Sequence, residues 1–299
     1  MFVTVAALVA AACGGATPSP EVEVPRVEAP PTSGLVWVRD AAGTDRTWWV
    51  NLDGSPLSSL PIDGPLWADG QALWQPTFER AEAPVYEEEP GPGEPSEPAS
   101  QIPLVRVVLR ELVTDARVVA IEAPELGPVH DARHEVRLEG SVGPYLFFVE
   151  RLYVDSWGAH GAEDARSIVW DLTASASVEI PTDRELSTWE LEARRRVSEV
   201  PEIDEDAGLS LVALHPRWAD GRLAVDLRVA AEACYACGDG EWSDYTRSVL
   251  IPLPTPPERL ARPVPGWARA AAERSGATLM GFTLVDEPGP ARILDSLSR

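Results

Sequence analysis

A period of two runs through the stretch LAVDLRVAAEA, residues 223–233, in which apolar and mostly polar side chains alternate. The alternation predicts a half-buried strand that turns every second residue from Leu223 to Val229 towards a core. Residues 245–253, YTRSVLIPL, predict a return strand, and the two segments are expected to form a hairpin. The connecting residues 234–240, CYACGDG, place two cysteines in the loop. The hairpin favours an antiparallel β fold but names no ligand and no reaction.

Segments with β-branched and aromatic residues extend this pattern along the chain, and the 11 Trp residues favour a β-rich core. We predict further strands at 35–39, 47–52, 72–86, 104–112, 117–121, 135–140, 144–154, 167–172 and 278–285.

Two segments predict helices. An amphipathic helix is expected near 183–200, where Thr182 and Glu185 fit a capping box and Pro201 ends the pattern. A short Ala-rich C-terminal helix is expected at 266–275, ended by Gly276. The predicted fold is therefore α+β and mainly β, with antiparallel sheets. A β-propeller is the alternative, because Trp- and Asp-Gly-bearing strands recur at roughly 40 to 50 residues.

The charge of the chain limits its partners. It carries 25 basic residues, all of them Arg, against 48 acidic ones, for a formal net charge of −23. Such a chain repels phosphate backbones and anionic lipid, so we expect no nucleic-acid binding and no membrane contact through charge. The acidic surface is expected mainly to keep the protein soluble.

The N-terminus resembles a lipoprotein signal peptide over residues 1–13. Met1 to Ala12 is apolar and too short to span a bilayer, and small residues precede Cys13 as in a bacterial lipobox. Ala10 replaces the usual Leu, and the n-region has no Arg, which leaves open a start codon further upstream. An ordinary secretory signal or an apolar end with a free Cys are the alternatives. Lipidation at Cys13 would anchor the protein in the outer or cytoplasmic membrane of a bacterial envelope.

The rest of the chain divides by composition. A Pro-rich tether is expected at 14–33, an N-terminal β region at 34–86, a main β-rich domain at 101–285 and a frayed tail at 286–299. Residues 87–100, EEEPGPGEPSEPAS, predict a disordered acidic loop or a linker between subdomains. A calcium site there is the sharper alternative, but a Pro-stiffened run does not arrange converging carboxylates.

The remaining cysteines, Cys234 and Cys237, favour a structural disulfide if the protein lies outside the cytoplasm. A redox site would need the first Cys at a helix N-terminus, and a zinc site would need two more ligands at suitable spacing. We therefore expect no metal and no cofactor. The aromatic residues beside the pair, Tyr235 and Trp242, are candidate binding residues.

Motifs of the common hydrolases are missing, since the sequence has no GxSxG, SxxK or HExxH. His160, in the Gly-rich turn after Trp157, is a candidate for a ligand or a catalytic base, although such a ring more often bonds a backbone carbonyl. Trp157 and His160 are also candidate binding residues. Two functions stay open. The first is a non-enzymatic binding or sensing ectodomain for an unknown envelope or extracellular protein or small molecule. The second is an extracytoplasmic hydrolase with a site near His160.

Over residues 135–260, a strand precedes the loop Gly158-Ala159-His160-Gly161, and then come Val169-Trp170-Asp171-Leu172, a helix, and a strand pair leading to Pro252. This order resembles the extracytoplasmic domain family shared by the anti-sigma factor RsiV and the deacetylase PdaC. Trp157 and Gly161 replace a Gly and a Pro of the family loop. The family includes lysozyme binders and modules with no known role, so the resemblance implies a binding domain rather than a catalyst.

Overall fold

The computed structural model describes residues 32–89, 97–156, 161–179, 191, 194–196, 199, 209–219, 222–232, 246–252, 262–286 and 289–297. From Pro31 to the C-terminus the chain belongs to one compact unit. The structure is mostly β, with antiparallel sheets, as the sequence predicts.

The strands follow one another in this order: β1 (Ser33–Arg39), β2 (Asp45–Asn51), β3 (Ile62–Asp63), β4 (Trp67–Asp69), β5 (Ala72–Val85), β6 (Ser100–Glu111), β7 (Arg117–Ile121), β8 (Asp131–Val142), β9 (Tyr145–Asp155), β10 (Ala162–Asp171), β11 (Ala176–Val178), β12 (Leu209–Ala219), β13 (Arg222–Glu232), β14 (Thr246–Pro252) and β15 (Thr278–Val285). They form four sheets: sheet A has the order β15-β1-β2-β3, sheet B β4-β5-β6-β7, sheet C β11-β10-β9-β8, and sheet D β12-β13-β14. Two helices, α1 (Gly266–Ser275) and α2 (Gly289–Leu297), flank β15 in the sequence.

Both faces of the central strand β1 are buried, and its pairing brings the first and last strands of the fold into one sheet. It pairs with β2 on one side and with β15 on the other. The predicted N-terminal region 34–86 and the main region 101–285 therefore share sheet A. Leu35 and Trp37 turn to one face of β1, and Val36 and Val38 turn to the other, where α1 covers them.

One hydrophobic core joins sheets A, B and C. Its large side chains include Trp37 of β1, Trp67 of β4, Phe148 of β9 and Trp170 of β10. The indoles of Trp37 and Trp67 meet edge to face, with ring centroids 5.3 Å apart. Trp-bearing strands of three sheets thus share one core, and sheet B curves as a half-barrel rather than standing as a separate blade. The β-propeller alternative is wrong for this reason.

The hairpin predicted from residues 222–253 is confirmed in its described strands. β13 pairs antiparallel with β14, from Asp226 opposite Pro252 to Glu232 opposite Thr246. The connection at 233–245 lies outside the described residues. Of the predicted helix near 183–200, Leu191 and Arg194–Arg196 are helical, and most of its other residues lie outside the described part.

The acidic segment 87–100 connects the two strands of one hairpin. Val85 at the end of β5 stands opposite Ser100 at the start of β6, and the Ala99 N–H donates to the Val85 carbonyl at 2.8 Å. The segment is therefore not a linker between subdomains. Residues 87–89 are exposed, and residues 90–96 lie outside the described part.

The C-terminal helix α1 and strand β15 are confirmed at their predicted bounds. Gly276 ends α1 with φ 63°, a left-handed conformation that glycine adopts without strain, and its N–H bonds the carbonyls of Ala272 and Glu273. The expectation of a frayed end after Asp286 is wrong for 289–297. These residues form α2, which contacts β5, and Leu294 is fully buried in a core cluster shared by residues of sheets A and B.

Replacing Leu294 by Ala is expected to lower the free energy of unfolding by about 2–5 kcal/mol, because it leaves a cavity at the edge of the core. Leu297→Ala is the matched control, since Leu297 lies on the same helix and is 45% exposed. Urea unfolding of both variants measures the difference. Equal and small losses in the two variants would mean that α2 does not close the core.

Candidate functional site

The site residues predicted from the sequence, Cys13, Trp157, His160, Cys234, Tyr235, Cys237 and Trp242, all lie outside the described residues. The disulfide, the lipidation site and the His160 turn therefore stay predictions. Within the described part, two histidine–carboxylate pairs stand out instead, one of them buried and the other half-buried.

The first pair begins at the boundary between sheets B and C. His134 lies on the buried face of β8, in phase with Ala132, Val136 and Leu138. Its Nδ1 accepts a 3.0 Å hydrogen bond from the backbone N–H of Val105 on β6. Strand β7 pairs with β6 only from Val107 onwards, so the imidazole supplies an acceptor just beyond the point where the β6–β7 ladder stops.

The second nitrogen of His134 bonds Glu150. Because Nδ1 accepts a hydrogen bond, it carries no proton, and the proton of the neutral ring is on Nε2. Nε2 lies 3.0 Å from Oε1 of Glu150. Both ring nitrogens are thus engaged, and the ring has no free lone pair for general-base catalysis. In this state His134 orients its neighbour rather than reacting.

The buried carboxylate of Glu150 also accepts a hydrogen bond from Nε of Arg166, which stands directly opposite it on β10. Burial raises the pKa of Glu150, but the hydrogen bonds from His134 and Arg166 and the charge of Arg166 outweigh burial. The pKa of Glu150 therefore lies below its ordinary value, and the carboxylate is charged at neutral pH. Its charge holds Arg166 at the surface end of the array.

Arg166 lines an open cleft of about 570 Å³. One wall of the cleft comes from Ala120, Ile121 and Glu122 at the end of β7, and the other from β10 and from residues 177–179 of the β11 region. β7 and β11 are the terminal strands of sheets B and C. The cleft therefore separates two sheet edges, and we call it the Arg166 cleft.

The charged side chains around the Arg166 cleft differ in whether they already have a partner of opposite charge. Glu122 lies 3.4 Å from Nε of Arg106, so the acidic side of the cleft already has a cationic neighbour. The side chain of Arg166 is 64% exposed, and in the described part of the chain Glu150 is its only partner. Its terminal N–H groups remain to bind a carboxylate or phosphate from outside, for which the planar guanidinium has matching geometry.

The second pair joins sheets C and D. Nδ1 of His215 on β12 lies 3.2 Å from Oε2 of Glu139, a residue at the bulge of β8. Burial raises the pKa of Glu139, but the bond from His215 and the charges of Arg137 and Arg39 lower it further than burial raises it. Nε2 of His215 is buried without a hydrogen-bond partner. The contact between His215 and Glu139 connects β12 of sheet D to the bulge of β8 in sheet C.

The array His134–Glu150–Arg166 is not predicted from the sequence. His130 and His134 draw attention only as a pair four residues apart, and the structure separates them, with His130 half exposed and His134 buried. The alternation of apolar and polar residues in β8 and β9 does contain a signal for the array. His134 falls on the apolar phase of β8, and Glu150 ends the apolar run of β9, so each is a polar residue at a core position.

Comparison of the chain with known proteins finds no matching family model, no significantly similar curated protein and no significantly similar solved structure. Within the described residues, no three His, Cys, Asp or Glu side chains are grouped so that they could hold a metal ion. The helices in the described ranges are all too short or too polar to cross a membrane.

Glu150→Gln is expected to lower the free energy of unfolding by about 2 kcal/mol at neutral pH, because His134 and Arg166 lose a charged acceptor. The folded-state pKa of Glu150 lies below its ordinary value. The extra stability of the wild type is therefore present above about pH 4.3 and is lost as the pH falls through the folded-state pKa.

Urea unfolding of the wild type and the variant at neutral and at acidic pH measures this effect. Glu135→Gln is the control, since Glu135 lies on β8 with its side chain 56% exposed. A difference between wild type and Glu150→Gln that does not shrink on acidification would contradict the assignment of a charged Glu150.

Proposed function

We propose that this protein is a non-enzymatic binding or sensing ectodomain, anchored to the bacterial envelope by a lipid on Cys13. The ligand is an extended polypeptide segment that enters the Arg166 cleft and presents a carboxylate to Arg166. The observation that carries the proposal is the position of Arg166, held by a buried carboxylate where two sheet edges line one cleft.

The strand edges support a polypeptide ligand. In the described part of the chain, β7 pairs only with β6, and β11 only with β10. Each strand therefore has an edge whose backbone groups can bond an added strand, a common mode of peptide recognition. Residues of both edges line the same cleft, so one extended segment can reach either of them.

The hydrogen bonds to both ring nitrogens of His134 favour binding rather than catalysis at this site. Its two nitrogens bond Val105 and Glu150, so His134 helps to position the guanidinium and is not free to act as a base. The resemblance of residues 135–260 to the RsiV/PdaC-type family, which includes binders of proteins, also favours a binding role.

The envelope location rests on the small residues that precede Cys13. Cys13→Ala is expected to release the protein from the membrane fraction, because the lipid on Cys13 is the proposed anchor and the apolar run of residues 1–12 is too short to span a bilayer. Fractionation of cells that express the wild type or the variant, followed by immunoblotting, measures the shift. A variant that still sediments with membranes would refute the lipid anchor.

The binding site is tested with a photo-crosslinking residue in place of Ser177, in the full-length protein in its own envelope. We expect one polypeptide to crosslink at this position, and expect Arg166→Gln to reduce the yield by about tenfold or more, since the charge-assisted pair is lost. Arg46→Gln is the matched control, because Arg46 is exposed on β2 and lines neither described cleft.

A crosslinking residue at Arg80, on an exposed part of β5, measures nonspecific capture. Equal crosslinking with and without Arg166, or equal capture of the same polypeptide at Arg80, would refute the Arg166 cleft as the binding site.

A further inference from the structure

A second cleft, of about 400 Å³, lies around the connection that follows Asp171 at the end of β10. It is lined by the end of β4, the turn between β8 and β9, the residues after β10, the segment before α1 and the end of β15. Because Arg262 lies in this lining, we call it the Arg262 cleft. It shares no lining residue with the Arg166 cleft, so a ligand bound here is independent of the proposed function.

Three ionisable side chains line the Arg262 cleft, namely Arg262, Asp69 and Asp286. None of them forms an ion pair or a side-chain hydrogen bond in the described part of the chain. This is unlike the other charged groups near the core, such as Arg39 and Asp45, which bond one another at 2.8 Å. One cation and two anions thus share a cleft and do not neutralise each other.

The backbone of the β8–β9 turn positions Arg262. Gly143 has φ 57°, and a Cβ at this position would lie 2.8 Å from Cζ of Arg262. The guanidinium therefore packs directly on the glycine, at a distance that a side chain there would prevent. Glycine serves both needs, because it adopts positive φ freely and allows the close approach.

The rest of the lining is largely apolar. Pro144, Leu172, Phe282 and Leu284 are part of the cleft, and Leu284 is 45% exposed although it is a large apolar residue. A ligand with an apolar group would cover this surface, and the area removed from water would stabilise the complex.

We propose that the Arg262 cleft binds a zwitterion, namely a free α-amino acid with an apolar side chain. Its carboxylate pairs with Arg262, its ammonium group pairs with Asp69 or Asp286, and its side chain packs against the apolar residues. A simple anion pairs only with Arg262 and a simple cation only with the carboxylates, whereas a zwitterion can pair with groups of both signs.

The test is calorimetric titration of the full-length protein with L-leucine and L-phenylalanine, each compared with its N-acetyl derivative and its amide. At least one of the two amino acids is expected to bind at millimolar or lower concentration. Its N-acetyl derivative lacks the ammonium group and its amide lacks the carboxylate, and each is expected to bind at least about tenfold more weakly.

Variants separate the two charges. Arg262→Gln is expected to weaken the amino acid about tenfold or more and to leave the amide unchanged, while Asp69→Asn combined with Asp286→Asn weakens the amino acid and leaves the N-acetyl derivative unchanged. Arg46→Gln is the control and should bind as the wild type does. Binding of neither amino acid, binding of both derivatives as tightly as the parent, or unchanged binding by Arg262→Gln would overturn the proposal.

Discussion

The hydrogen bond from the Val105 N–H to Nδ1 of His134 links sheet B to sheet C at the point where the β6–β7 ladder stops. A buried backbone N–H without an acceptor costs about 1–3 kcal/mol, so the imidazole satisfies a group that the ladder leaves open. The same bond places the ring proton on Nε2. The orientation of Glu150, and through it that of Arg166, follows from this one contact.

Burying the His134–Glu150–Arg166 array in place of apolar side chains costs free energy, and this cost is evidence about the role of the array. Moving a carboxylate out of water costs several kcal/mol, and an apolar set of the same volume is often equally stable or more so. The neighbouring positions on the same face of sheet C, such as Leu138 and Phe148, are apolar. The bond to the Val105 N–H accounts for His134. Stability alone gives no reason for a charged Glu150 at the end of this face. Orientation of Arg166 at the cleft does give one, and it is the reason on which the proposed function relies.

Residue patterns within short segments predicted the local structure well, but they did not predict the contacts between segments that are distant in the sequence. Strands β7 and β15 and helix α1 have the bounds that alternation, β-branched residues and Gly276 predicted. The pairing of β1 with β15, across most of the chain, has no local signal. The β-propeller expectation failed because a spacing of Trp residues along the sequence does not reveal whether the indoles fill separate blades or one core. The candidate site divides in the same way: the burial of His134 could be read from the strong alternation of β8, but its bond to the backbone of Val105, 29 residues away, could not.

The net charge of −23 affects which ligands can approach the two clefts and bind in them. Exposed charges are screened beyond about 8 Å at physiological ionic strength, so the acidic surface repels an anion during approach but acts little on a group already in contact. Arg166 has Glu122 and Glu179 in the same cleft lining, and Arg262 has Asp69 and Asp286. Each guanidinium thus lies among carboxylates, so a ligand that carries only negative charge gains at one group and loses at two. A ligand that also carries a positive charge, such as a polypeptide segment or an amino acid, gains at the carboxylates and offsets that loss, so the charge pattern favours it over a simple anion at both sites.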